Sequence, residues 1–89
     1  MIIRSQNKKA IVNLNMIDTI EERDNQIRYF SGGGMETVGL LGQYSTEEKA
    51  IKVLDMIEKL YVESVWTEGK TIIANRVCFE MPSDEEVEV

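Results

Sequence analysis

The chain contains no histidine in 89 residues. That removes the commonest general base near neutral pH, the Ser-His and Cys-His nucleophile pairs, and the commonest transition-metal ligand. A single cysteine, Cys78, allows no intramolecular disulfide and cannot supply the several thiolate or imidazole ligands of a zinc site. One proline and six glycines exclude a collagen-like or linker-like composition. No window approaches the roughly 18 apolar residues needed to cross a bilayer, and no N-x-S/T acceptor is present. The start, Met1-Ile2-Ile3-Arg4-Ser5, lacks the long apolar stretch of a signal peptide, so the expected location is cytoplasmic. What remains, 43% hydrophobic and 29% charged residues, is the composition of one small globular domain.

The net charge of −6 is unevenly placed, because Asp84, Glu85, Glu86 and Glu88 lie in residues 83–89 and leave only −2 on residues 1–82. The expectation is a single α+β domain over 1–82 followed by an acidic, solvated and disordered tail over 83–89. A duplex-binding face is not expected, since phosphate contacts need clustered Lys and Arg and only Lys8-Lys9 are adjacent.

Short apolar or alternating runs fill the first half: Ile2-Ile3, then Ala10-Ile11-Val12 with Leu14 and Met16, then Ile27-Arg28-Tyr29-Phe30, then 35–41 with Gly39 weakening or bulging it. Asp24-Asn25 suits a tight hairpin turn because both tolerate positive φ, and Gln6-Asn7-Lys8-Lys9 offers an earlier turn. From Ser45 the period changes. Ala50, Val53, Leu54, Ile57, Leu60 and Tyr61 recur at spacings of three and four, which predicts a helix with Ser45 as N-cap and Glu48 closing a capping box. Fraying is expected between Tyr61 and Trp66, where Val62, Val65 and Thr67 are β-branched, with Gly69 as the stop. A last strand within 71–81 places Val77, Phe79 and Met81 on one face and Arg76, Cys78 and Glu80 on the other, until Pro82 ends it. The fold class is therefore α+β: an antiparallel β-meander packed against one amphipathic helix, with a final C-terminal strand.

The candidate chemistry is sparse. Glu21-Glu22 are neighbours on a strand, so they point to opposite faces and form no carboxylate dyad with each other. Gly32-Gly33-Gly34 has amides able to cradle an anion, with Arg4, Lys8 and Arg28 as cationic partners, but it lacks the Lys-Ser/Thr ending and helix of a Walker loop. Cys78, with no histidine to activate it, reads as a semi-buried small residue. Tyr61, Val62, Val65 and Trp66 make an apolar patch that one sheet cannot fully cover, and aromatic residues of this kind are favoured interface anchors. The reading is a non-enzymatic protein with no cofactor and no metal.

Met1-Ile2-Ile3-Arg4-Ser5-Gln6, the run from Leu41-Gly42-Gln43-Tyr44-Ser45 through Thr46-Glu47-Glu48-Lys49-Ala50 into Val53-Leu54-Asp55-Met56-Ile57, and Phe79-Glu80-Met81-Pro82 give the chain its resemblance to short uncharacterised proteins of phages and prophages of Gram-positive bacteria. The resemblance supplies no reaction or ligand residues. It implies host cytoplasm as the site of action and protein–protein interaction as the function, in the form of a counter-defence, anti-CRISPR-like inhibitor of a host defence protein. The alternatives are a small-ligand or nucleotide-binding sponge using the glycine loop, and a minor structural phage protein. A homodimer is expected as well, across the Tyr61 to Trp66 region or along an exposed edge strand, because so small a domain buries only about 60–65% of its unfolded surface.

Overall fold

The computed structural model describes residues 1–32, 37–67 and 78–89, and the side chains of all of these except 37 and 64–67. Strands β1 (Ile2–Arg4) and β2 (Ile11–Asn13) pair antiparallel with Ile3 opposite Val12. Their turn is closed by the Ser5 amide donating to the Ala10 carbonyl at 2.9 Å, with Lys8 at φ 69°, as the polar 6–9 stretch suggests. β2 stops at Asn13, short of the longer strand expected through Met16. The Asn13 side chain takes the Asn15 amide at 2.9 Å and turns Leu14–Met16 into a 3-10 helix, the local competition that Asn side chains offer to a sheet ladder.

β3 (Thr19–Arg23), β4 (Gln26–Ser31) and β5 (Thr37–Gln43) form the meander, a separate antiparallel sheet in the order β3-β4-β5. Asp24 and Asn25 sit at φ 53° and 67° between β3 and β4, the two positive values of a type I′ hairpin. The irregularity in β5 falls at Leu41, the extra residue between Gly42, opposite Ile27, and Leu40, opposite Arg28. Gly39 has a different task. It lies opposite Tyr29, and a Cβ there would collide with the Tyr29 ring.

Helix α1 (Glu47–Thr67) packs on β3 and β4. Its cap is Thr46, whose Oγ1 accepts the Lys49 amide at 3.1 Å, and not Ser45, whose own amide is drawn off to Asp84 Oδ1 at 2.7 Å. The helix runs through the β-branched stretch to Thr67 instead of fraying at Tyr61, since each such residue costs only tenths of a kcal/mol once a helix is under way. Gly69 and the first part of the expected last strand lie outside the described residues. Its final piece, β6 (Cys78–Glu80), pairs parallel to β1 and completes the sheet β2-β1-β6. Alternation along it holds: Phe79 and Met81 are buried, while Cys78 and Glu80 are exposed. Cys78 is thus not semi-buried, because Phe79 takes the inward position on this strand.

The core joins both sheets to the helix, with Ile3, Phe79 and Met81 meeting Ile27 and Leu41 and the Ala50, Val53 and Ile57 stripe of α1. Gln6 ties the sheets together. Its amide donates to the Leu41 carbonyl at 2.8 Å, its Oε1 accepts the Gln43 amide at 2.9 Å, and its Nε2 donates to the Gln43 and Pro82 carbonyls at 3.0 and 3.1 Å.

Residues 83–89 are not a solvated tail. Asp84–Glu86 form a 3-10 helix in which the Glu86 carboxylate accepts the Ser83 amide at 2.8 Å, and Val87 is buried to 5% exposure. Asp84 also receives Lys49, whose Nζ lies 2.9 Å from its carbonyl and 3.5 Å from its carboxylate. The acidic composition concealed this because the carboxylates find backbone amides and one lysine, and a single valine anchors the segment. The Ser45 amide, and behind it Lys49, holds the Asp84 carboxyl below the usual aspartate range, and the Ser83 amide does the same for Glu86. Beside them the Tyr44 hydroxyl donates to the Pro82 carbonyl at 2.8 Å; burial first, then the Asp84 and Glu86 charges, push its pKa up to about 12.

Candidate functional site

An α-helix turns about 100° per residue, so Glu47, Ile51, Leu54, Asp55, Glu58, Tyr61 and Val62, spaced by threes and fours, share one flank of α1 beside its buried stripe. That flank combines exposed apolar side chains, Ile51 at 42%, Tyr61 at 44% and Val62 at 45%, with three carboxylates. It carries no Lys or Arg. Lys52 and Lys59 border it, about 60° and 40° around the helix axis from Asp55, and Lys59 lies 3.9 Å from Glu63.

Between this flank and the chain entering β3 run two clefts placed end to end. The first, about 360 Å³, is lined by Ile20 of β3 and by Leu54, Asp55, Ile57 and Glu58. The second, about 440 Å³, is lined by Leu14, Asn15, Ile17 and Tyr61. Leu54 to Tyr61 spans two helical turns, roughly 10 Å along the axis. Leu14, Ile17, Ile20, Leu54 and Ile57 supply the apolar parts of the walls, Asn15 is polar, and the charged residues in the lining, Asp55 and Glu58, are acidic.

Of the expected partner-binding residues, Tyr61 and Val62 are therefore exposed on one flank, with Tyr61 in a cleft. Val65 and Trp66 lie in the last turns of α1, and their side chains are outside the described set. Ile51, Leu54, Asp55, Glu58, Ile17 and Ile20 were not anticipated. The helical spacing of Asp55 and Glu58 is readable in the sequence, but which side of α1 the sheet leaves open is not.

The expected anion-binding residues are dispersed. Arg4 belongs to the first sheet, where its guanidinium donates to the Lys8 carbonyl at 3.0 Å, and Lys8 Nζ lies 3.6 Å from Glu80. Arg28 belongs to the second sheet and is bonded through Nε to Gln26 Oε1 at 2.8 Å. The Gly32 amide donates to the Asp18 carboxylate at 2.7 Å, which sets a negative group where an anion would bind. Gly33 and Gly34 lie outside the described residues.

A second exposed apolar area covers the outer face of the meander. Register places Phe30 opposite Val38 and Arg28 opposite Leu40 there, with Val38 and Leu40 about half exposed. No helix among the described residues is long and apolar enough to cross a membrane. Compared with protein-family models, curated proteins and solved structures, the chain finds no match in any of the three.

Proposed function

We propose that the chain is a non-enzymatic binding protein that acts by protein–protein interaction through the exposed flank of α1, as a counter-defence inhibitor of a host defence protein. The observation that supports binding is the flank itself: Ile51, Tyr61 and Val62 are exposed beside two clefts whose linings include Leu14, Ile17, Ile20, Leu54 and Ile57. Isolated apolar residues on a surface need no explanation, whereas a contiguous strip along a cleft is the form an interaction surface takes. The inhibitory role draws its support from the resemblance to short phage and prophage proteins, for which occupying a partner's surface requires no chemistry.

The ligand-sponge reading has less behind it, since its cations are divided between two sheets and its glycine amide faces Asp18. The experiment that tests the proposal is a map of which α1 positions touch the partner, with positions 51 and 62 on the flank compared against 56 and 63 on the far side.

A further inference from the structure

We draw no further inference here: the strongest candidate, the pair of clefts between the α1 flank and the chain entering β3, belongs to the site already described, and nothing in the structure shows what covers it.

Discussion

Gly39 shows how one missing side chain sets the packing around it. A strand interior ordinarily loses stability at glycine, but here the space a Cβ would take belongs to the Tyr29 ring on the neighbouring strand, and Tyr29 in turn packs on the core. Gly39→Ala should cost about 1–3 kcal/mol in urea unfolding. In a Tyr29→Ala background the same change should cost almost nothing, because the colliding ring is gone. An equal cost in both backgrounds would mean that backbone conformation, not the ring, requires glycine. The sequence marked Gly39 as a weak point in its strand without showing which neighbour needs the room. Asp24-Asn25 was readable outright, because only a few residue types tolerate two successive positive φ values. Cys78 and Ser45 were not. Their surroundings depend on Phe79 and Asp84, and the Ser45 partner lies 39 positions away in the chain.

Among the elements, the C-terminal 3-10 helix departs furthest from its composition. Its attachment depends on charged carboxylates: Asp84 on the Ser45 amide and Lys49, and Glu86 on the Ser83 amide. Both carboxyls are held below their ordinary values, so their contribution is present above the usual carboxylate range of about 4 and is lost as pH falls through the folded-state values. Tyr44 works in the opposite direction. Its raised pKa keeps the phenol neutral in the fold, so its contribution is intact below the ordinary tyrosine value of about 10 and is lost as pH rises toward about 12. The Val87 methyl resonances should therefore hold their folded positions between about pH 4 and pH 10 and move toward exposed values on either side. Asp84→Asn should reduce the acid-side change; if that change is unaltered in the variant, another carboxylate controls the docking. α1 was the element most readable in advance, since its buried stripe follows from spacing alone. Its cap and end were not, because a residue from the C-terminal turn competes for Ser45.

At the scale of the whole molecule, two exposed apolar areas lie on different sides of the second sheet. The α1 flank carries Glu47, Asp55 and Glu58, with Lys52 and Lys59 along its border. The outer face of the meander, with Phe30, Val38 and Leu40 around Arg28, is a further exposed apolar surface beside the Tyr61 to Trp66 region and the edge strands expected to carry a homodimer. Leu40→Glu should convert a dimer to a monomer in light scattering while Val62→Glu leaves it paired, and a wild-type chain that stays monomeric at high micromolar concentration removes the dimer. The α+β class, the meander and the helix were legible because periodicities of two and of three to four register at short range. The division into two sheets was not, since β6 returns to β1 across most of the chain, and neither was the flank, whose existence depends on which side of α1 the sheet covers.

The central claim is that a partner protein occupies that flank. It is tested most directly by placing a photo-crosslinking amino acid singly at Ile51, Val62, Met56 and Glu63, irradiating the cells that make the chain, and identifying the adducts by mass spectrometry. The account predicts one and the same adduct protein from positions 51 and 62 and none from 56 and 63, which are exposed on the opposite side of α1. Equal adducts from all four positions, or a single partner joined through 56 and 63 alone, would contradict it.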